Sequence, residues 1–320
     1  MSAKNYILGI DTSNYTTSVA ITNKDGMVVA DVRKPLKVKQ GERGLRQSYA
    51  LFQHFENFPQ MISQLFQQIE KEQIGVIAVS SRPRPVEGSY MPVFKAGVNY
   101  GKVLAASLEV PLLEFSHQEG HIEAIKHRGA LHNESHFLAF HLSGGTTELL
   151  YIKNNEYELI GGSKDISFGQ VLDRVGVAMN LKFPAGKEMD LIAQEEKNKH
   201  SIIEVEKLKK IPRDGLFINL SGIETQCQRR LAENENNQLL VMELFDKISL
   251  CLCQLTEEAV KETGCTFVLF TGGVAASSYI RKHITDYFQG KDLLIQFGDP
   301  LLSSDNAVGI SMLGGNKLWP

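Results

Sequence analysis

The apolar positions of the chain fall into short runs, separated by polar turns and by longer stretches with helical spacing. Short apolar runs flanked by turn residues are typical of buried strands, whereas apolar residues three or four apart are typical of helices. The runs predict strands over residues 75–79, 111–115, 266–270 and 293–297. The helical spacing predicts helices over residues 93–108, 168–181, 239–262 and 275–288. This alternation predicts mixed sheets covered by helices.

One further helical stretch is rich in aromatic residues. Its apolar positions are Tyr49, Leu51, Phe52, Phe55, Ile62, Leu65, Phe66 and Ile69. Because their spacings are mainly three and four, these side chains are predicted to face the core. Pro59 has no backbone N–H to donate, so it is predicted to interrupt the helix between the two groups.

The two halves of the chain repeat one pattern. At a constant offset of 130 residues, Ser13 falls on Ser143 and Thr17 falls on Thr147. Each half begins with an apolar strand, a tight polar turn and a second apolar strand, and another turn then leads to a third strand. Two such halves predict two related α/β domains that face a cleft.

Length and composition agree with this interpretation. The chain has 320 residues, 42% of them hydrophobic and 22% charged, which is ordinary for two soluble domains. We expect a first domain over 1–115 plus 300–320, and a second over 116–299 with a helical insertion. No run approaches the roughly 18 apolar residues of a membrane span, and no signal peptide is evident. The four cysteines form no CxxC pair, which favours reduced thiols and a cytoplasmic location.

Charge is unevenly distributed. The formal net charge is −3, so the protein does not bind nucleic acid through bulk positive charge. Between Arg33 and Arg46, however, six basic residues stand against one acid, Glu42. A second basic group contains Lys207, Lys209, Lys210 and Arg213. Such groups either contact a phosphate backbone or form ordinary solvated loops.

Two glycine-rich turns are candidates for binding a nucleotide. Residues 143–147 read Ser-Gly-Gly-Thr-Thr between two predicted strands, where backbone N–H groups can approach an anion. A plain hairpin turn would use the same glycines. Residues 271–276 read Thr-Gly-Gly-Val-Ala-Ala and lead from a strand into a helix, a context that suits a phosphate or adenosine. Neither turn is a GxGxxG or Walker A motif, which disfavours a Rossmann dehydrogenase or a P-loop NTPase.

A histidine pair is the candidate metal site. If a helix begins after residue 116, His117 and His121 lie four apart on one face and can share an ion, although such pairs are often incidental. Asp305, at another predicted helix start, is a candidate third ligand. A zinc protease of the HExxH type needs glutamate at its second position. Here Gln118 is second, and Glu119 points about 200° around the helix from His117, which disfavours protease chemistry.

Taken in order, these motifs resemble the TsaD family, which was long labelled O-sialoglycoprotein endopeptidase. The matching stretches are 8–13 (Leu-Gly-Ile-Asp-Thr-Ser), 117–121, 143–147, 217–222 (Phe-Ile-Asn-Leu-Ser-Gly), 272–276 and 304–307 (Ser-Asp-Asn-Ala), with Asp165, Gly169, Asp173 and 184–186 (Pro-Ala-Gly). Each motif alone is weak, but their combination and order cover nearly the whole chain. The resemblance implies the actin-like, sugar-kinase and Hsp70 (ASKHA) fold, an α/β fold of two duplicated RNase H-like domains around a central cleft.

The resemblance also implies an activity and its site. Family members transfer a threonylcarbamoyl group from threonylcarbamoyl-AMP to the adenosine beside the anticodon of certain tRNAs. The resemblance implies one divalent metal ion, iron or zinc, held by His117, His121 and Asp305. The implied nucleotide and substrate contacts are His141, Leu142, Ser143, Gly144, Gly145, Thr146, Asp173, Gly186, Asp190 and Ser277. The metal would polarise the carbonyl while the adenine amine attacks, and the glycine-rich turn would neutralise the phosphate of the departing AMP.

Ligands and partners follow from the same resemblance. Threonylcarbamoyl-AMP, or ATP and AMP, would occupy the nucleotide site. The basic segment from Arg33 to Arg46 would contact tRNA, a smaller protein of the same fold would be a partner, and no membrane is involved. The resemblance assigns no catalytic side chain.

Several positions depart from the family pattern around the transfer chemistry. The family's acidic pair after its first Thr-Ser is absent, since residues 14–17 read Asn-Tyr-Thr-Thr, and Thr146 replaces a histidine. Other departures are Ser-Arg-Pro-Arg-Pro at 81–85 for the Gly-Pro-Gly loop, Gln170 for glutamate, Ala185 for glycine, Glu224 for lysine and Ser277 for asparagine. Losing one positioned acid–base group typically costs roughly 10²–10⁴-fold in rate. We therefore hypothesise a divergent paralogue.

Three functional classes remain open from the residues. The first is an enzyme of carbamoyl-type transfer, supported by the three implied metal ligands. The second is a catalytically weakened scaffold that binds nucleotide and metal and partners the tRNA modification machinery, supported by the altered residues 14–17 and Thr146. The third is a sugar kinase or ATPase of the same fold, which shares the glycine turns but has no use for the histidine pair.

Overall fold

The computed structural model divides the chain into two compact units, each with its own sheet. The first unit comprises Met1–Val38, Gly44–His132 and Leu301–Pro320, and the second comprises Lys39–Arg43 and Asn133–Pro300. The residues that the structure describes are 4–13, 15–38, 45–126, 129, 131, 134–154, 156–199, 207–233, 237–299 and 306–319.

The first unit is a five-stranded sheet flanked by helices. Its strands are β1 (Tyr6–Asp11), β2 (Thr16–Asn23), β3 (Val28–Pro35), β4 (Ile74–Arg82) and β5 (Leu112–Ser116). Its helices are α1 (Gln47–Phe66), α2 (Phe94–Leu108), α3 (His117–Lys126) and α9 (Val308–Leu318), with a short 3₁₀ turn over Lys71–Gln73. The strand order is β3-β2-β1-β4-β5. Strands β1 to β3 form an antiparallel meander, and β4 and β5 continue the sheet in parallel from β1.

The second unit repeats this sheet and extends it. Its strands are β6 (His136–Leu142), β7 (Thr147–Lys153), β8 (Glu156–Ser163), β9 (Arg213–Asp214), β10 (Phe217–Ile218), β11 (Phe267–Thr271) and β12 (Leu294–Phe297). Its helices are α4 (Phe168–Ala178), α5 (Gly186–Lys199), α6 (Ser221–Ala232), α7 (Asn237–Thr263) and α8 (Ser278–Phe288), with a 3₁₀ turn over Val274–Ala276. The strand order is β12-β11-β6-β7-β8-β10-β9.

The predicted duplication is confirmed in the strand order. From β8 to β12 the second sheet has the order β8-β7-β6-β11-β12, which matches β3-β2-β1-β4-β5 of the first. The pairing directions match as well, with an antiparallel meander followed by two parallel additions. The strands and helices predicted from the apolar pattern are present, with ends shifted by a few residues. The sequence-based boundary at 115 differs from this division, because α3 packs against α9 within the first unit.

Helix α1 is continuous, so the predicted interruption at Pro59 is wrong. Proline at this position removes the N–H that would bond the carbonyl of Phe55 four residues earlier. The hydroxyl of Tyr100, on α2, donates to that carbonyl oxygen at 3.1 Å instead. The neighbouring side chain of Phe58 is buried and stacks on the Tyr100 ring at 4.2 Å between centroids. These contacts offset part of the cost of the missing bond.

The aromatic residues at the start of α1 were also predicted wrongly. Tyr49 is 49% exposed, Phe52 56% and Phe55 37%. The buried face of this part of the helix carries polar residues that find partners: His54 contacts the Thr17 hydroxyl at 2.9 Å, and Gln53 contacts the backbone of residue 37. Polar groups that have hydrogen-bond partners can occupy a core position, and in this part of α1 the aromatic residues face solvent instead.

Two remaining expectations concern cysteines and membranes. All four cysteines are buried free thiols, and burial raises the pKa of Cys227, Cys251 and Cys253 to about 12. Thiols held protonated in this way are inert. Among the described residues, no helix has the length and apolar character needed to cross a bilayer.

Candidate functional site

The histidine pair lies at the start of α3, as its spacing predicts. The helix begins with a capping box: the Ser116 N–H donates to the Glu119 carboxylate at 2.7 Å, and the Glu119 N–H donates to the Ser116 hydroxyl at 3.2 Å. His117 and His121 therefore lie on one face, one turn apart. Their Nε2 atoms are 3.0 Å apart, and their rings meet edge to face.

Asp11, at the end of β1, orients the first histidine. Its Oδ2 atom lies 2.9 Å from Nδ1 of His117. Its Oδ1 atom accepts hydrogen bonds from the Ser80 hydroxyl at 2.6 Å and from the Ser13 backbone N–H at 2.9 Å. A carboxylate only accepts, so this contact assigns a proton of His117 to Nδ1. Sequence analysis missed Asp11 as a partner of the pair, although it lies in a matching motif.

The donor set fits a divalent transition metal. Neutral imidazole nitrogens bind zinc and iron, and two nitrogens on one tetrahedral ion, each at about 2.0–2.1 Å, are roughly 3.3–3.4 Å apart. The observed separation of 3.0 Å between the Nε2 atoms of His117 and His121 needs only a small opening of the two rings. Asp305, the predicted third ligand, lies outside the described residues.

Packing fixes the position of α3. A Cβ atom added at Gly120 would come within 2.7 Å of the Ile310 side chain on α9, and one added at Gly309 would overlap the backbone carbonyl of Gly120. The two helices therefore approach closely at these glycines. Glu119 points away from the ring nitrogens, because it caps the helix and lies 3.8 Å from the Arg82 guanidinium. That placement agrees with the argument against a zinc protease.

In the second unit, His141 and Leu142 end β6 and residues 143–146 form the predicted hairpin turn. The Ser143 hydroxyl accepts from the N–H groups of Gly145 at 3.3 Å and Thr146 at 3.1 Å. Nothing lies within 4 Å of a Cβ atom built on Gly144 or Gly145. The two glycines thus leave open space beside the turn. The N–H groups of Gly145 and Thr146, however, already donate to the Ser143 hydroxyl, which an anion would have to displace.

Helix α4 begins against this turn. Ser167 caps the helix in a capping box with Gln170, and its hydroxyl also donates to the Gly144 carbonyl at 2.8 Å. A side chain at Gly169 would overlap the backbone of Ser143 and Gly144. The N-terminus of α4 and the hairpin turn therefore form one tightly packed structure.

Asp173 and Gly186, two predicted substrate contacts, meet next to α5. The Asp173 carboxylate accepts the Ala185 N–H at 2.8 Å and also bonds the Gly186 N–H. Burial raises the pKa of Asp173, and these two backbone bonds reduce that rise. A partly buried carboxylate whose pKa is raised is typical of a functional position.

Asp190 and Ser277, the other predicted pair, are bonded to each other. The Ser277 hydroxyl donates to Asp190, which also accepts the N–H groups of Ser278 and Tyr279, each at 3.1 Å. Asp190 therefore caps the N-terminus of α8. A ligand hydroxyl at this carboxylate would share it with the helix start.

A pocket of about 200 Å³ opens between α5 and α8 beside Asp190. Its lining includes Ser278, Lys197, Lys282 and His283. Lys282 pairs with Asp286 at 2.8 Å, and Lys197 lies 3.6 Å from Asp246. Because its lysines are paired, the pocket suits a neutral nucleoside better than a polyphosphate.

The second glycine turn joins this region to β6. Gly272 has a φ of 95°, and a side chain there would overlap the Leu142 carbonyl. Glycine is therefore required where the turn passes the end of β6. Thr271, beside it, is fully buried, and its hydroxyl has no hydrogen-bond partner among the residues described. Sequence analysis did not single out this hydroxyl.

Comparison with known proteins identifies the family. A sequence profile of tRNA N6-adenosine threonylcarbamoyltransferase, TsaD, matches residues 29–312. A probable bifunctional tRNA threonylcarbamoyladenosine biosynthesis protein of Methanocaldococcus jannaschii is 26% identical over 96% of this chain, which spans 54% of that longer protein. A tRNA N6-adenosine threonylcarbamoyltransferase of Carboxydothermus hydrogenoformans is 28% identical over 97% of this chain and 92% of its own length.

Solved structures show the fold. Full-length HypF in its phosphate- and nucleotide-bound form has a TM-score of 0.63 at 14% identity, over 99% of this chain and 47% of HypF. The Acidaminococcus fermentans (R)-2-hydroxyglutaryl-CoA dehydratase component A has a TM-score of 0.55 at 13% identity, over 98% of both chains. These likenesses confirm the predicted α/β fold of the actin-like, sugar-kinase and Hsp70 class. By the extent of the profile match, the chain belongs to the TsaD family of tRNA N6-adenosine threonylcarbamoyltransferases.

Proposed function

We propose that this chain transfers the threonylcarbamoyl group of threonylcarbamoyl-AMP to the adenosine beside a tRNA anticodon. The exocyclic amine of adenine bonds to the carbonyl carbon, the bond from that carbon to the AMP phosphate oxygen breaks, and the amine loses one proton. The products are modified tRNA and AMP. The observation that carries the proposal is the pair of ε nitrogens of His117 and His121, 3.0 Å apart, with Asp11 behind the first ring.

One divalent ion, iron or zinc, is the cofactor in this proposal. His117 and His121 would hold it, with Asp305 as the third ligand. A metal ion bound there would supply Lewis-acid polarisation of the carbonyl, which stabilises the charge that develops during attack. The capping box and the glycine contact between α3 and α9 support this role, because they hold both imidazoles in place before the ion binds.

The second unit would bind the AMP portion of the substrate. Asp173 and Asp190 would accept hydrogen bonds from ribose hydroxyls, since charge-assisted bonds of this kind are strong. Gly186 and Ser277 lie beside them, and the pocket between α5 and α8 opens next to Ser278 at the start of α8. The turn from His141 to Thr146 would contact the phosphate, in competition with the Ser143 hydroxyl.

Two partners belong to the proposal. The exposed aromatic residues Tyr49, Phe52 and Phe55 of α1 support contact with another protein, for which a smaller relative of the same fold is our candidate. The basic segment from Arg33 to Arg46 would contact tRNA in the cytoplasm. Its described part includes exposed Lys37 and Arg46, whereas Arg43 lies outside the described residues.

A weakened scaffold is the second candidate function. It is favoured by the engagement of Asp190, whose carboxylate caps α8, and by Thr146 at the position of the family's histidine. In this case the protein would bind metal and nucleotide, partner the modification machinery and turn over slowly. The departures at residues 14–17 support a divergent paralogue in the same way.

One assay separates these candidates. Purified protein is incubated with unmodified tRNA and threonylcarbamoyl-AMP, with added zinc or iron(II) or with a chelator, and AMP release and modified adenosine are measured. We expect both products in equal amounts, and their loss on chelation. Metal and nucleotide binding without modified adenosine would support the scaffold. In a parallel reaction with ATP and Mg²⁺, ATP hydrolysis that needs neither zinc nor iron(II) would support a kinase or ATPase and contradict the proposal.

A further inference from the structure

We infer that Asp11 is a positioning residue that keeps the Nε2 atom of His117 unprotonated and directed at the ion site. This inference rests on the proposed metal site and extends it to the group behind the ligand. Asp11 comes from β1 and His117 from α3, 106 positions later in the chain, and the two meet at 2.9 Å.

Hydrogen bonds hold the Asp11 side chain in place. The residue is fully buried, and three donors converge on it: the Ser13 backbone N–H, the Ser80 hydroxyl and Nδ1–H of His117. A carboxylate has acceptor sites for all three, whereas an uncharged carboxyl group would present a donor to one of them. Two donors fix Oδ1, so Oδ2 keeps its direction towards the imidazole.

The consequence for His117 is a choice of tautomer. A neutral imidazole has one N–H and one lone pair, and only the nitrogen with the lone pair can bind a metal. The bond to Asp11 holds the proton on Nδ1, on the side away from His121. Carboxylate partners of this kind fix ring orientation and raise the basicity of a ligating histidine, and their loss typically costs about 10–100-fold in metal affinity.

An amide at position 11 would reverse this choice. In Asp11→Asn the side-chain oxygen would stay with the Ser13 and Ser80 donors, so that its NH₂ group would face Nδ1 of His117. The ring would then accept at Nδ1 and carry its proton on Nε2, the nitrogen that must bind the ion. We expect zinc affinity to fall about 10–100-fold, measured by competition with a chromophoric chelator.

Glu123→Gln is the matched control. It makes the same carboxylate-to-amide change on the helix that carries the histidines, and its amide oxygen can still accept the hydrogen bond from the Asn316 side-chain amide. Its side chain bonds Asn316 on α9 and not a ring nitrogen, so zinc affinity should stay within about twofold of the wild type. Equal losses in both variants would indicate a general effect of charge and would overturn the inference.

A measurement on the metal-free protein separates this inference from the proposed function. Nitrogen-15 spectra of the histidine rings, with His117 assigned from a His117→Gln variant, report which nitrogen bears the proton. We expect Nε2 to be unprotonated in the wild type and protonated in Asp11→Asn. Protonation of Nε2 in the wild type would overturn the inference, even if Asp11→Asn fails to fold. The expected spectra without zinc binding would instead contradict the proposed metal site.

Discussion

The two units share a strand order but differ in what they place at equivalent positions. At the 130-residue offset, Asp11 of β1 corresponds to His141 of β6, and both are buried at the ends of their strands. On the neighbouring parallel strands lie Ser80, near the end of β4, and Thr271, at the end of β11. Ser80 donates to Asp11, whereas the Thr271 hydroxyl has no partner among the residues described.

This difference indicates a division of roles. In the first unit, Asp11 is bonded by Ser13, Ser80 and His117, so contacts within this unit orient the first imidazole of the pair. The second unit has the buried Thr271 hydroxyl and a glycine turn at the corresponding strand ends, and the partly buried carboxylate of Asp173 lies on α4. Because the carboxyl ends of parallel strands are the usual site of ligands in α/β folds, we interpret the first unit as a prebuilt metal site and the second as a nucleotide site that its ligand completes.

The largest expected effect is that of removing one imidazole of the pair, which should abolish metal binding and turnover but spare AMP binding. His121→Gln removes one imidazole of the pair, so zinc or iron should no longer co-purify with the protein. AMP release should fall by about 100-fold or more, since Lewis-acid stabilisation contributes several kcal/mol. Binding of AMP alone should change little if the second unit binds it. The control is His136→Gln, at the start of β6, which should retain metal and turnover. Loss of AMP binding in His121→Gln would contradict the division of roles.

Asp173→Asn tests the nucleotide site. Binding of AMP, measured by calorimetry, should weaken about 10–100-fold, since a hydrogen bond to a charged group contributes about 1.5–3 kcal/mol. Metal content should not change, because the imidazoles of the first unit are untouched. A variant that loses metal as well would show that the two sites are not separate.

The same substitution should stabilise the protein without ligand, and the effect should depend on pH. Burial raises the pKa of Asp173 above its ordinary 3.8. The folded state therefore binds this proton more tightly than the unfolded chain, so the stability from this group is present below that value and is lost as pH rises through the raised pKa. The difference in Tm between Asp173→Asn and the wild type should grow over that window. A lower Tm for the variant at pH 7 would contradict the burial argument.

Ser80→Ala and Thr271→Val test the contrast at the equivalent strand ends. Ser80→Ala removes a donor from buried Asp11 and should lower the free energy of unfolding by about 1.5–3 kcal/mol. Thr271→Val removes a hydroxyl without a described partner, so it should be neutral or slightly stabilising in the absence of ligand and should weaken AMP binding. Chemical denaturation measures both. Equal destabilisation would mean that Thr271 has a structural partner outside the described residues.

The sequence predicted the duplication and the histidine pair because both depend on local spacing. The hydroxyls of the hairpin turns lie at a fixed offset, and two histidines four apart share a face once a helix is assumed. The role of Asp11 could not be predicted in this way, because its partner is 106 positions away and only the parallel packing of β1, β4 and β5 brings them together.

The failures on α1 have the same origin in distant partners. Periodicity could not reveal that His54 would contact Thr17 of β2, or that Gln53 would bond the backbone after β3. With these two polar residues on the buried face of the helix, Phe52 lies at the surface. Pro59 was expected to break the helix because proline lacks a backbone N–H. The local sequence could not show that the Tyr100 hydroxyl of α2 would bond the Phe55 carbonyl in its place. In both places a polar contact between elements outweighed the local rule.

The smallest expected effect concerns the capping boxes, which the two units fill with different residues. Helix α3 has Glu119 and helix α4 has Gln170 at the third position, each bonded back to the serine that begins the helix. Gln170→Glu adds a negative charge at a helix N-terminus and should raise the free energy of unfolding by about 0.3–1 kcal/mol, whereas Glu119→Gln should lower it by a similar amount. Denaturation at low and high salt checks this, since charge effects shrink as salt rises. If Gln170→Glu destabilises the protein, the electrostatic potential at the turn of Ser143 and Gly144, against which α4 begins, is already negative. That result would argue against a phosphate at this turn and would weaken the assignment of the nucleotide to the second unit.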